Sequence, residues 1–288
     1  MPISFNLDKT YQYLIVLLAF LMPLTVFGAN LIIVIICVLW LISGDYKSKY
    51  NQIIENKLML SSIIFFCLHA VGLFWTDDLS WGLHIMHKMW YFLGLLPILF
   101  TLVRKDYISK YISAFLFAIF ITEACSYFVW LEIIEPFKNA TVSNPTPFMS
   151  HISYNPILAF AIYLVLYELF FNKKITNYIF FLYGFFAISM SINMFITGGR
   201  AGQVVFFVIL AVLIFQIFDK QRIKSLIAIL IVIPGVFFTA YQASDLFHNR
   251  VNKAMYEALS VTNESENSVG HRINFVKNSF HLIKQNPM

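Results

Sequence analysis

Charge is scarce in this chain. Only 12% of its 288 residues are Asp, Glu, Lys or Arg, against 59% hydrophobic, which is too little polar surface to cover a soluble globule of this length. Cysteine is scarce too. Cys37, Cys67 and Cys125 fall inside apolar runs, without the close spacing that a disulfide framework or a structural metal site requires, so they read as packing residues. A concentrated basic patch is also missing. The formal net charge is +5, but the basic residues are spread over the loops between apolar runs, a pattern that marks membrane orientation and gives no sign of nucleic acid as a partner.

What the chain does have is a series of apolar runs approaching the roughly 20 residues that cross a hydrocarbon core. We read nine spans, at 12–27, 29–43, 58–75, 89–103, 111–133, 152–171, 178–197, 201–218 and 225–241. The expected fold class is all-α: a polytopic transmembrane helix bundle over residues 1–241, then a stretch at 242–288 that opens a large outer loop. The first two spans, joined by Gly28-Ala29-Asn30, form either a tight hairpin or one span with a re-entrant piece. The first run follows a weak basic region, with Lys9 alone, and is long for a signal peptide, which favours a retained anchor.

Orientation follows from Lys and Arg, which enrich cytoplasmic loops. With the N-terminus inside, twelve of the 20 basic residues fall in inside segments and only Lys88, Lys138 and Arg200 in short outer loops. The outer face then holds residues 75–88, the Pro- and Asn-rich loop at 135–156, the turn TGGR at 197–200 and everything after 241. The last stretch divides into a polar part, NESENS at 263–268, and an amphipathic helix at about 269–285. Its Ile273, Val276, Phe280 and Ile283 face one way and Asn274, Lys277, His281 and Lys284 the other, as in a helix lying on a membrane surface.

Arg200 is the best candidate for chemistry. It follows Gly198-Gly199 and precedes Ala201-Gly202, so backbone can approach closely, and its planar fork matches phosphate oxygens. The plainer reading is an arginine anchoring a helix end at the interface, weakened by its place on the face poor in positive charge. Arg272 sits near the start of the amphipathic helix, where backbone N–H groups add to an anion site; otherwise it is a solvated residue. His271 beside it is a base or phosphate ligand, or simply solvated. Lys88 pairs with Trp90 as an interfacial anchor or supplies a third cation. His151, where the sixth span begins, is a further substrate-binding candidate.

Asp77 and Asp78 offer oxygen ligands for a divalent metal, as in some membrane glycosyltransferases, but capping the helix that begins near Leu79 explains the pair more simply. Glu123 is the one charged residue at mid-span, either paired within the bundle or functional. No metal spacing links His84, His87 and His151. Two short N-x-Ser/Thr patterns begin at Asn139 and Asn263.

Three passages resemble the O-antigen ligase and O-antigen polymerase superfamily of bacterial envelope glycan enzymes: residues 72–99, FITGGRAGQVVFFVIL at 195–210, and GHRINFVKNSFHLIKQNP at 270–287. Family members have a T-x-S/G-R-x-G turn between two spans, then an arginine opening an amphipathic segment. The resemblance implies that Arg200 and Arg272 engage the diphosphate of an undecaprenyl-linked glycan. It implies an inverting, metal-independent glycosyltransferase of C-type membrane fold, with no cofactor. An acceptor hydroxyl attacks the anomeric carbon and undecaprenyl diphosphate leaves, its charge met by arginine. The partners so implied are the undecaprenyl-diphosphate-linked glycan donor, a lipid A-core or growing glycan acceptor, and membrane lipid. The expected location is the bacterial inner membrane, with the N-terminus cytoplasmic and the active face periplasmic.

Members of that family continue past the last proline to a base histidine and further spans. The expectation is therefore that this chain is an N-terminal fragment, inactive alone, with the base histidine beyond Met288. O-antigen ligase leads, with O-antigen polymerase and protein O-oligosaccharyltransferase as alternatives. A membrane solute transporter and a metal-dependent transferase using Asp77 and Asp78 are the readings from other classes.

Overall fold

In the computed structural model, which describes residues 7–138, 140–259 and 268–285, every regular element is helical. The chain divides within one long helix into two units, one running to Thr122 and the other starting at Glu123.

The first unit begins with α1 (Leu7–Leu21) and α2 (Val26–Ile42). The break between them falls at Met22–Thr25, earlier than the expected Gly28-Ala29-Asn30. Pro23 has no N–H to continue a helix, and Thr25 caps the next one, its Oγ1 accepting from Gly28 N at 3.2 Å. After α2 the backbone takes positive φ at Gly44 (67°) and Asp45 (53°), and the chain bends by 116° into α3 (Tyr46–Glu55). Lys49 ties this corner, donating to Trp40 O at 2.9 Å and lying 4.6 Å from the Trp40 ring. Tyr11, Ile15, Ile32, Ile36 and Leu102 form a local core, and buried Gln12 donates to Leu102 O at 3.0 Å.

α4 (Lys57–Gly72) leads through a single 3₁₀ turn to α5 (Leu79–Leu93), α6 (Leu95–Leu102) and α7 (Ile108–Trp130). The helix expected to begin near Leu79 does begin there, and residues 79–88, expected in the outer loop, form one candidate span with the apolar run that follows. The pattern LSWGLHIMHKMWYFL contains charge but no proline, and Asp78 Oδ1 accepts from Trp81 N at 2.9 Å, fixing the first turn.

The second unit holds the end of α7, then α8 (His151–Phe171), α9 (Asn177–Ile196), α10 (Arg200–Ile217), α11 (Arg222–Ala243), α12 (Asp245–Leu259) and α13 (Ser268–Gln285). Inside a bilayer lipid tails are as apolar as leucine, so helices associate through close contact of small residues and through hydrogen bonds. Both occur here. Buried Ala159, Ala161 and Ile162 lie on α8, and Phe206, Leu213 and Ile214 on α10. Between α7 and α9 runs a polar ladder: Ser189 Oγ donates to Glu123 Oε1 at 2.6 Å, Tyr127 OH to Ser189 O at 2.8 Å, and Asn193 Nδ2 to Ser126 Oγ at 2.9 Å. Glu123 is thus hydrogen-bonded within the bundle.

Seven helices of the described residues are long and apolar enough to cross a membrane, or eight if the bent pair α2–α3 counts as one span. That revises the nine expected spans. α1 has only 15 residues and α2 only 17, while the expected 89–103 span starts ten residues earlier, at Leu79, and runs through α5 and α6 to Leu102. The amphipathic helix near the end is present as α13. Val276, Phe280 and Ile283 are exposed on it, and so are Phe275 and Leu282. The N-x-Ser/Thr residues Asn139 and Asn263, and most of NESENS, lie outside the described residues.

Candidate functional site

The turn between α9 and α10 is shaped by contacts that demand its glycines. A Cβ on Gly202 would lie 2.2 Å from Asn155 Cβ and 2.6 Å from the Asn155 carbonyl carbon. One on Gly199 would lie 2.5 Å from His151 O, and one on Gly198 2.7 Å from Arg250 Nη2. Two of these four atoms are backbone of α8, which cannot yield. Glycine at 199 and 202 therefore lets α10 press against the start of α8.

Polar bonds pin the same turn. Thr197 Oγ1 donates to Asn155 Oδ1 at 2.7 Å, and Gln203 Nε2 reaches Thr197 O at 3.3 Å. Gly198 N donates to Asn144 Oδ1 at 3.0 Å. With its oxygen so engaged, Asn144 turns its Nδ2 to His151 Nδ1, 2.8 Å away. An amide N–H only donates, so His151 accepts at Nδ1 and carries its proton on Nε2.

Arg200 is the first residue of α10, where the free N–H groups and the positive end of the helix dipole lie. Its Nη1 pairs with Glu257 Oε2 at 3.5 Å, the two side chains being 28% and 9% exposed. Its Nε is buried without a hydrogen-bond partner. Arg250 of α12 stands half-buried against the turn. Burial, and after it the Arg200 guanidinium, push the Arg250 pKa down from its ordinary value, though arginine stays charged at neutral pH. Two guanidinium groups thus share one end of the unit with the carboxylate of Glu257. Such a site suits an anion, with donors already oriented and a net positive field.

α12 is held in place by aromatic packing. The Phe247 ring lies 5.0 Å from that of Phe195 and 5.4 Å from that of Phe237, and Ser244 Oγ donates to Phe195 O at 2.8 Å. Phe247, Arg250, Ala254 and Glu257 recur at helical spacing, and Phe247 and Glu257 are buried. That spacing is the sequence signal for this helix, which lies within the expected outer stretch at 242–288.

Of the expected site residues, Arg200 and His151 come together here, His151 through Asn144. Arg272 and His271 are exposed on α13, and the second arginine of the cluster is Arg250. Lys88, Asp77 and Asp78 belong to the first unit. Lys88 is exposed on α5, and Asp78 is occupied as a helix cap. Among the described residues no group of three or more His, Cys, Asp or Glu is placed to hold a metal ion.

These features define a polytopic helical membrane protein with a cationic site at one end of its second unit. Residues 185–288 match the family model described as O-antigen ligase, a region that includes most of α9 and all of α10 to α13. Over this stretch, just over a third of the chain, the protein is similar to that family. Searches of curated proteins and of solved structures gave no match.

Proposed function

We propose that this protein transfers an undecaprenyl-diphosphate-linked oligosaccharide to an acceptor at the periplasmic face of the bacterial inner membrane, lipid A-core being the leading acceptor. The observation that carries the reading is Arg200 at the start of α10 with Arg250 of α12 against the same turn, the Glu257 carboxylate beside them. Arg200 and Arg250 hold the diphosphate, and Arg272 reaches it from α13. His151 and Asn144 line the same end and meet the sugar next to the diphosphate.

In the reaction an acceptor hydroxyl attacks the anomeric carbon from the side opposite the diphosphate, and the configuration inverts. As the bond from that carbon to the diphosphate oxygen breaks, negative charge grows on the leaving group. Fixed guanidinium groups stabilise it without reorganising, a kind of contribution worth roughly 10²–10³ in rate when one donor is removed. No nucleotide is needed, because the donor bond itself is the activated one, and no metal is needed, because the arginines supply the positive charge.

The test is complementation. The full-length gene, and its Arg200→Ala, Arg250→Ala and Arg272→Ala variants, are placed in strains lacking either the O-antigen ligase or the O-antigen polymerase. Wild type should restore surface glycan in the ligase-null strain and the Arg200 variant should not. Restoration by all three variants would refute the site. Rescue of the polymerase-null strain alone would move the acceptor from lipid A-core to a growing glycan.

A further inference from the structure

Asn144 is held more firmly than its place in a loop requires. Its backbone N–H donates to Thr141 O at 3.0 Å, and its carbonyl accepts from Thr141 N at 3.2 Å and from Thr146 N at 2.9 Å. Pro145 and Pro147 follow, both buried, and each fixes its own φ. The side chain is fixed as well. Oδ1 takes the N–H of Gly198 at 3.0 Å, so the amide cannot turn over without setting donor against donor, and Nδ2 stays on His151 Nδ1 at 2.8 Å. The arginine cluster adjoins this pair. Asn144 Oδ1 and Arg250 Nη2 lie 3.3 and 2.7 Å from one and the same point, the place of a Cβ on Gly198.

That arrangement decides what His151 can do. In a neutral imidazole one nitrogen accepts and the other carries the proton. The Nδ1 lone pair is engaged by Asn144 and Nε2 bears the hydrogen, so neither nitrogen is free to take a proton from an acceptor hydroxyl. What remains is Nε2–H, a donor without a partner among the described residues, on a half-buried ring. It calls for an oxygen from outside the chain.

We infer that Asn144 is a positioning residue that locks His151 in the Nε2–H form, making it a fixed donor to an oxygen of the sugar next to the diphosphate and barring it from the role of general base. The inference deepens the proposed function and rests on its reading of the arginines, which puts the diphosphate at this turn. Asn144 acts on the sugar through His151. A donor already held in one tautomer needs no reorganisation when the sugar arrives.

Two substitutions separate the parts. His151→Gln brings an amide N–H near the place of Nε2 and gives up the contact at Nδ1. His151→Asn keeps a polar group near the place of Nδ1, within reach of Asn144, and offers nothing at Nε2.

The experiment uses the full-length protein in nanodiscs, as wild type, His151→Gln, His151→Asn, Asn144→Asp and Arg200→Ala. Its two probes are undecaprenyl diphosphate alone and undecaprenyl diphosphate carrying one glucose. His151→Asn should weaken the glucose-bearing probe roughly tenfold with the bare diphosphate bound as in wild type, and His151→Gln should recover most of that loss. ¹⁵N NMR of histidine-labelled protein reads the tautomer, His151 being assigned by the signals lost in His151→Gln. Wild type should carry the His151 proton on Nε2. Asn144→Asp, whose carboxylate only accepts, should bring a proton to Nδ1. A wild-type proton on Nδ1 overturns the inference, and so does binding of the glucose-bearing probe that both His151 variants lower equally or that neither lowers. If Arg200→Ala binds bare undecaprenyl diphosphate as tightly as wild type, the arginine reading falls and this inference with it. If Arg200→Ala binds it weakly while the histidine results fail, the histidine role alone is lost.

Discussion

Replacing Arg250 with glutamine should separate ligand binding from stability. Arg250 lies half-buried against the Gly198 turn, and both its burial and the charge of Arg200 disfavour its cationic form. Its pKa is depressed in the folded state, so the charge opposes folding at neutral pH, where the guanidinium remains ionised. Removing it leaves the Arg200–Glu257 contact, 3.5 Å long, in place, and the melting temperature should hold or rise. Ligand binding should move the other way. A hydrogen bond to a charged group contributes about 1.5–3 kcal/mol, which converts to roughly a 10- to 100-fold loss of affinity. The assay pairs thermal unfolding in detergent with titration of undecaprenyl diphosphate, for wild type and Arg250→Gln. Affinity within twofold of wild type would refute the reasoning, as would a loss of affinity matched by a parallel fall in melting temperature, since that pattern marks a structural arginine.

Other expectations are more local. Gly202→Ala sets a Cβ 2.2 Å from that of Asn155, so α8 and α10 must separate and the protein should lose about 1–3 kcal/mol. Thermal unfolding reads this against Gly235→Ala, which meets nothing and should be neutral or stabilising. Asp78→Ala removes the cap of α5 at a cost of about 1 kcal/mol. It should leave transfer activity unaffected, and EDTA should leave it unaffected too; loss of activity with EDTA would revive a metal-dependent mechanism. In a variant freed of the three native cysteines, Ser143→Cys should react with an impermeant thiol reagent from the periplasmic side and Lys173→Cys should not. The reverse pattern would invert the proposed orientation.

How much of this was legible in the sequence differs from element to element. The apolar runs after residue 57 announced their spans through length and composition, and Asp78 announced its cap. Gly198-Gly199-Arg200 stood out because an arginine beside glycines, between two apolar runs, has few local explanations. The bend after α2 was harder, as was the extent of the span that α5 opens. There the chain follows positive-φ residues and side-chain caps, and the polar residues at 84–88 hid the joining of the Leu79 helix to the apolar run after it.

The cluster itself was only half legible. Arg250 reaches the turn because Phe247 locks α12 against Phe195 and Phe237, contacts spanning ten to fifty residues that no local pattern encodes. Asn155 likewise meets Thr197 across 42 positions, through a helix crossing set by Gly199 and Gly202. Local periodicity speaks to which face of a helix is apolar. It says nothing of which other helix that face will meet, and so Arg272 is legible through a motif while Arg250, without one, is not.

The central claim is that Arg200 recognises the diphosphate of a lipid carrier. It is tested most directly by comparing the affinity of the full-length protein for undecaprenyl diphosphate and for undecaprenol, which has the same chain and no phosphate, in wild type and Arg200→Ala. The account predicts at least tenfold weaker binding of the diphosphate to the variant, with undecaprenol bound equally by both proteins. Equal binding of the diphosphate by the two proteins would contradict it.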